Sequence, residues 1–171
     1  GGSVSFTASE AGHPGIMAPE TGTTTTGYSN LTFRPSSQFL FGGGRIYAEW
    51  GVKLPSLSDA TNTFTVYIGF QDASFGSPVD SIHFEYSHGV NSGAWQIKTT
   101  SNSTATTTNT ATTVDTSWHR YSVEIDAAAS SVTFYIDGVS VGTHTTNIPT
   151  GTGRETSVGF QILKSAGTTT R

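Results

Sequence analysis

The chain has 171 residues, a formal net charge of −4 and 12% charged residues, and it is long enough for one domain around one core. It has no cluster of Lys or Arg that could neutralise a string of phosphates, so nucleic acid is not an expected partner. No apolar run approaches the roughly 20 residues that cross a membrane, and the absence of cysteine excludes disulfides and thiolate metal sites.

Short runs of β-branched and aromatic residues, separated by turn-forming residues, recur along the whole chain. They predict about a dozen short strands. The clearest, in chain order, are 45–54, 63–71, 81–86, 95–100, 119–125, 131–136, 139–144 and 157–164. Residues 127–129 are three alanines, too few to nucleate a helix, so they are predicted to form a turn. The sequence therefore predicts a single all-β domain over residues 1–171.

Two connections between strands have informative sequences. Asp137 and Gly138 separate two strand-like runs, and a two-residue loop of this type favours a tight hairpin because both positions need a positive φ. The segment 101–113 is a Thr-rich stretch that fits two interpretations equally well, a mobile loop or a polar hairpin at a sheet edge.

Two segments of the second half resemble a known hairpin. Residues 118–126 have the sequence WHRYSVEID, and residues 131–141 have the sequence SVTFYIDGVSV. This pair is similar to a hairpin found across concanavalin A-like lectins, glucanases and laminin G-like domains. Further motifs resemble lectin-like domains of bacteriophage tail and virion proteins, and these are 13–16, 21–27, 41–46, 64–72 and 144–149.

The resemblance covers nearly the whole chain and implies a two-sheet antiparallel β-sandwich, the concanavalin A-like jelly roll. Such domains usually close with a further strand after the segment that matches 159–167, whereas this chain ends at Arg171. We therefore expect a fragment of a larger polypeptide, whose last strand was removed or is supplied by another chain. An unpaired sheet position favours a homo-oligomer or contacts with other virion proteins. The expected location is a virion or the extracellular space.

Side chains alternate across each strand, which separates an apolar set from a polar set. In 45–54, for example, Trp50 belongs to the apolar set and Glu49 to the other. If the strands share the concave sheet, as their counterparts do in the resembled folds, the polar sets line one surface. The predicted site consists of Arg45, Tyr47, Glu49, Tyr67, Gln71, His83, Glu85, Gln96 and Gln161.

These residue types suit a sugar, because amides and carboxylates pair with hydroxyl groups and aromatic rings stack on pyranose faces. They equally fit a solvated sheet face without a ligand. Three functions follow from the resemblance: a carbohydrate-binding, lectin-like module for host-surface attachment, a glycoside hydrolase, and a purely structural virion decoration or fibre domain. A polysaccharide or another glycan is the expected partner of the first two, and no membrane is expected to be one.

The hydrolase hypothesis would use Glu49 and Glu85 as the two carboxylates, whose separation would predict the stereochemistry. Many hydrolases with this fold carry a Glu-x-Asp-x-x-Glu strand instead. Here Glu124 and Asp126 are followed by alanines, so the third carboxylate of that motif is missing. An ordinary surface role is the favoured interpretation of both.

No cofactor and no metal site is predicted, since the five histidines lack ligand spacing. Calcium is common in the resembled superfamily and would need several clustered oxygens. The loop candidates for it are Asp59, Asp72, Asp80 and Asp115.

Overall fold

The computed structural model describes residues 2–6, 9–33, 38–72 and 78–171. These residues form twelve strands, one 3-10 turn at Asn91–Gly93 and no α-helix, and they include no helix that could cross a membrane. The strands are β1 (Ser3–Phe6), β2 (Met17–Glu20), β3 (Tyr28–Thr32), β4 (Ile46–Lys53), β5 (Phe64–Gln71), β6 (Ser81–Ser87), β7 (Ala94–Ser101), β8 (Thr104–Thr113), β9 (Trp118–Ile125), β10 (Val132–Ile136), β11 (Val139–His144) and β12 (Ser157–Lys164).

Ten of the strands form the two layers of a sandwich. The larger sheet has six strands in the order β3-β12-β5-β6-β7-β8, and the smaller has four in the order β11-β10-β9-β4. Strands β1 and β2 pair separately. All neighbouring strands within these sheets are antiparallel. The predicted all-β antiparallel sandwich is confirmed.

The core lies between the two sheets and is rich in aromatic rings. Phe84 of β6 has no exposed surface and makes edge contacts with Tyr121 and Phe134, which belong to the smaller sheet. Trp50 of β4 packs edge-on against Phe70 of β5, with ring centroids 5.7 Å apart. These contacts show which side of each strand faces inward.

The structure defines the conformation of the Asp137 turn and of the Thr-rich segment. Asp137 and Gly138 have φ values of +51° and +79°, which confirms the tight hairpin between β10 and β11. Of the two interpretations of 101–113, the edge hairpin is correct: Asn102 and Ser103 form its turn with positive φ, and β8 is the last strand of the larger sheet. Threonine suits this edge because it favours extended backbone and stays polar.

A histidine that lies between two carboxylates connects the turn between β10 and β11 to β9. Nδ1 of His119 lies 2.7 Å from Oδ2 of Asp137, and Nε2 lies 3.0 Å from Oδ1 of Asp115. The other oxygen of Asp137 accepts the backbone N–H of Arg120 at 2.8 Å. The WHRY and DG motifs of the sequence therefore meet in one contact.

This contact makes stability depend on pH in two ranges. Burial lowers the pKa of His119, but hydrogen bonds to Asp137 and Asp115 outweigh burial and raise it above the ordinary 6.5. The contribution of His119 is therefore fully present below pH 6.5 and is lost as the pH rises through the folded-state value. The hydrogen bond from His119 lowers the pKa of Asp115 from 3.8 to about 2, so that contribution is present above pH 3.8 and is lost as the pH falls toward 2.

We expect Asp137→Asn to lower the pKa of His119, because the neutral amide removes one of its two anionic partners. An NMR titration of the imidazole resonances measures this directly. The control is Asp126→Asn, since the Asp126 carboxylate bonds only to the 126–131 turn among the contacts seen here. An unchanged His119 pKa in Asp137→Asn would show that the ion pair does not form in solution.

The sandwich has two sides along which an edge strand of one sheet faces an edge strand of the other, and we call these sides seams. The two seams differ in what fills the space between the sheets. At the seam between β8 and β11, His144 contacts Thr99 at 2.9 Å and Thr108 at 3.0 Å, so side-chain hydrogen bonds close it. At the opposite seam, β4 is the last strand of the smaller sheet and faces β3 and β12 across an apolar cleft of about 560 Å³. We call this the seam cleft.

Candidate functional site

The outer face of the larger sheet carries polar side chains in register across all six strands. Because Phe84 points into the core, its neighbours His83 and Glu85 point outward. The register then places six residues side by side, which we call the polar row: Asn30, Gln161, Tyr67, Glu85, Gln96 and Asn109. Five spacings between strands of about 4.8 Å give the row a length of about 24 Å.

The structure brings six of the nine predicted site residues to this face. Tyr67, Glu85, Gln96 and Gln161 belong to the polar row itself. His83 lies in the adjacent row, which also contains Gly69 and Gly159 and is called the glycine row here. Gln71 lies one row further, opposite Ser81 and Ser157.

The prediction that Arg45, Tyr47 and Glu49 join them is wrong. Strand β4 belongs to the smaller sheet, where it pairs with β9. Since Trp50 faces the core, Tyr47 and Glu49 project from the opposite side of the protein. There the hydroxyl of Tyr47 donates to Glu49 at 2.8 Å, and Arg45, which precedes β4, pairs with Glu124 of β9.

The same topology is incompatible with Glu49 and Glu85 as a catalytic pair. Glu49 and Glu85 point away from each other on sheets that pack about 10 Å apart, so their carboxyl groups are separated by more than that distance. Glycosidase carboxylates lie about 5–9.5 Å apart. The two residues cannot act on one glycosidic bond within a single chain.

Glu85 is held in its charged form. Burial opposes its ionisation, but hydrogen bonds from His83 and Lys98 outweigh burial and hold its pKa below the usual value. Lys98 lies 2.9 Å from one carboxylate oxygen, and Nε2 of His83 lies 3.5 Å from the other. A glycosidase general acid needs a raised pKa, so Glu85 is set up to accept hydrogen bonds and not to donate a proton.

His83 is fixed as a neutral imidazole. It is only 1% exposed, and burial lowers its pKa. With Nε2–H directed at Glu85, Nδ1 accepts from the hydroxyl of Ser81 at 3.0 Å. Both ring nitrogens are thereby used inside the sheet, so His83 positions Glu85.

Tyr67 supplies an aromatic ring in the middle of the polar row. Its ring lies 5.4 Å from that of His83, at an angle of 59°. Burial and the charge of Glu85 raise the pKa of Tyr67 to about 12, so the phenol keeps its proton and can donate a hydrogen bond. The half-buried ring offers both a stacking surface and a donor.

Several residues of this face were not predicted from the sequence. Tyr28 and Asn30 lie on β3 and Asn109 on β8, both edge strands that alternation alone did not connect to the site. Lys98 of β7 lies beside His83 and neutralises Glu85. Only the strand register reveals these four.

Two acceptor oxygens on this face lack a partner among the described residues. They are Oε1 of Gln71, whose residue is only 3% exposed, and Oδ1 of Asn30. A buried acceptor without a donor costs free energy unless a ligand or water supplies one. Neither oxygen has exposed surface, so a ligand on this face would reach them only if the side chains moved.

The four loop aspartates do not converge on a calcium site. Asp59 accepts from the backbone of its own turn and contacts Arg171. Asp72 accepts the N–H of Val79. Asp80 pairs with Arg154 at 2.9 Å, and Asp115 pairs with His119. Over the ranges that the structure covers, no group of three His, Asp or Glu residues could hold a metal ion.

The two antiparallel sheets, with a polar face on the larger one, define a concanavalin A-like β-sandwich. The chain belongs to the family described as SO2946-like, C-terminal domain, whose model matches residues 12–171. No curated protein matches the sequence.

Solved structures support the fold. A Bacillus licheniformis β-glucanase is 21% identical with a TM-score of 0.53, over 83% of this chain and 67% of that one. The globular domain of T. cruzi calreticulin is 14% identical with a TM-score of 0.63, over 97% and 76%. The carbohydrate recognition domain of Emp47p is 10% identical with a TM-score of 0.56, over 97% and 79%. At these identities the likeness concerns the fold alone.

Proposed function

We propose that this domain binds a glycan across the outer face of its larger sheet. The observation that carries the proposal is the polar row, in which Tyr67 and Glu85 stand between the partly exposed amide of Gln96 and the buried amide of Gln161. Amide and carboxylate groups pair with sugar hydroxyls, and the Tyr67 ring can stack on a pyranose face. The structural neighbours include a β-glucanase and a carbohydrate recognition domain, and this supports the same class of ligand.

The charges on this face favour a neutral glycan. Glu85 is the charged residue of the polar row and Lys98 is that of the glycine row. The two side chains lie 2.9 Å apart and neutralise each other. His83 is neutral because burial lowers its pKa. An acidic sugar would meet no uncompensated cation among these residues, whereas neutral hydroxyls meet both donors and acceptors.

A glycan array tests the proposal with variants on both outer faces. We expect Tyr67→Ala to weaken binding at least about tenfold, because it removes the stacking ring, and Glu85→Gln to weaken it as well. The matched controls are Tyr47→Ala and Glu49→Gln, the same residue types on the smaller sheet. They are expected to bind like the unmodified protein.

Two results would contradict the proposal. One is the absence of binding to any glycan on the array. The other is an equal loss of affinity in Tyr47→Ala and Tyr67→Ala, because that would point to a general effect on the protein. Circular dichroism and thermal unfolding of each variant separate a loss of binding from a loss of fold.

We further propose that the parent polypeptide is a phage or virion structural protein and that the domain serves in host-surface attachment. The support is the similarity of its motifs to lectin-like domains of phage tail and virion proteins. A purely structural decoration or fibre domain remains the alternative for the same particle. Binding to host cells that Tyr67→Ala abolishes would favour attachment over decoration.

A further inference from the structure

The larger sheet extends beyond the smaller one at the seam cleft. Trp50 of β4 packs on Phe70 of β5, so β4 lies over β5, while β12 and β3 continue past it. The side chains of Leu31 on β3 and Phe160 on β12 face the same way as the core and are only half-buried. The smaller sheet therefore leaves part of the inner face of the larger one open, over an apolar cleft of about 560 Å³.

Strand β4 is the least protected edge among the strands that the structure describes. The closed seam covers β8 and β11, and the segment of β1 flanks β3, where the N–H of Gly2 donates to the carbonyl oxygen of Tyr28 at 3.0 Å. Strand β4 pairs with β9 in unbroken register, and its other edge forms no backbone hydrogen bond with a described residue. Its single cation, Lys53, is neutralised by Glu10 at 3.0 Å. An edge without such protection favours pairing with a further strand.

Strand β1 carries apolar side chains that its own chain leaves exposed. Val4 is 40% exposed and Phe6 is 82% exposed. The two residues occupy alternate positions, so they lie on one face of the strand. Strand β1 is held by four residue pairs with β2, and all of its residues are exposed. It is therefore a short strand with few contacts to its own chain and an uncovered apolar face.

We propose that two copies of the chain exchange β1, so that β1 of each copy pairs with the free edge of β4 in the other and places Phe6 in the seam cleft. The edge of β4 supplies backbone hydrogen-bond partners, and the apolar walls bury Val4 and Phe6. The charges also match, because residues 1–9 carry no charged side chain, and the cations on the cleft lining, Lys53 and Arg171, are already paired with carboxylates. Reciprocal exchange gives a closed dimer with two identical contacts.

This contact covers two surfaces that a single copy leaves open, the apolar face of β1 and the overhanging part of the larger sheet. It lies at the seam and not on the polar row. The dimer therefore does not depend on the proposed glycan binding, and each can be tested without the other.

Sedimentation equilibrium of the full chain over a concentration series tests this inference. We expect a reversible dimer, and Phe6→Ser should raise its dissociation constant at least about tenfold, because both contacts lose a buried ring. The matched control is Phe33→Ser, since Phe33 is also exposed, at 65%, but lies outside β1 and the cleft lining. This variant is expected to dimerise like the unmodified protein.

Leu31→Gln provides a second variant, which places a polar group on the cleft wall and should weaken the dimer while leaving β1 unchanged. Mixing it with Phe6→Ser gives the sharpest result, because β1 of the Leu31→Gln copy and the cleft of the Phe6→Ser copy form one intact contact. We expect native mass spectrometry of the mixture to show more heterodimer than either homodimer. Circular dichroism confirms that both variants are folded.

Any of four results would overturn the inference. The first is a monomer at every concentration, and the second is a dimer that Phe6→Ser leaves intact or that Phe33→Ser weakens equally. The third is a mixture of the two variants without an excess of heterodimer. The fourth is an assembly that grows beyond a dimer, because a reciprocal exchange closes after two copies.

Discussion

Replacing Phe84 with alanine is expected to lower the free energy of unfolding by about 3–5 kcal/mol, one of the largest effects of any single substitution in this chain. Phe84 is fully buried and contacts Trp95 in its own sheet and Tyr121 and Phe134 in the other. Its removal leaves a cavity at the point where both sheets meet. Urea unfolding followed by fluorescence measures the change.

The control for this substitution is Tyr47→Ala, which removes an aromatic side chain that is 60% exposed. We expect it to change stability by no more than about 0.5 kcal/mol, as is usual on a surface. A loss below about 1 kcal/mol for Phe84→Ala would contradict the packing between the sheets that the core contacts define.

Gly69→Ala is expected to destabilise the fold by about 2–4 kcal/mol, through backbone strain and overpacking. Gly69 has a φ of +150°, and an added Cβ would collide with the carbonyl oxygen of Ile82 and lie 2.7 Å from Cα of His83. These are backbone atoms of the neighbouring strand, which cannot move aside without disturbing the ladder. Strands β5 and β6 at the centre of the larger sheet would be forced apart.

Gly51→Ala is the matched control, because Gly51 also lies within a strand and an added Cβ there meets nothing within 4 Å. It should be neutral or slightly stabilising, since alanine restricts the unfolded chain more than glycine does. Equal stability of Gly69→Ala and Gly51→Ala would show that β5 and β6 do not approach each other as described. Thermal unfolding of both variants decides this.

The side of each strand that faces the core could be predicted from the sequence. Alternation sorted Trp50 inward and Glu49 and Glu85 outward, and the contacts between the sheets confirm all three. The prediction of the inward face succeeds because side chains alternate between the two faces of a strand, so a pattern within a few residues is enough. The Asp137 hairpin was predictable for the same reason, since it depends on two adjacent residues.

The sheet to which each strand belongs could not be predicted in this way. Strand β4 pairs with β9, whose residues lie about seventy positions further along the chain, whereas β5 and β6 pair as neighbours. Nothing in the pattern of 45–54 distinguishes these two cases, since an inward-facing apolar set suits either sheet. The error for Tyr47 and Glu49 is therefore one of topology and not of side-chain direction.

The polar row needed register as well as topology. Gln161 stands beside Tyr67 only because β12 inserts between β3 and β5, and Asn30 joins them through β3. Such pairings join residues that are about a hundred positions apart. Local sequence carries the chemistry of each side chain but not its neighbours.

The central claim is that glycans bind the outer face of the larger sheet. The most direct measurement is an NMR titration of the ¹⁵N-labelled protein with an oligosaccharide that the array identifies. We predict that chemical-shift changes concentrate along the polar row, at Tyr67, Glu85 and Gln161, and leave β4 unchanged. Changes centred on Tyr47 and Glu49 instead, or no saturable changes on the larger sheet, would contradict the account.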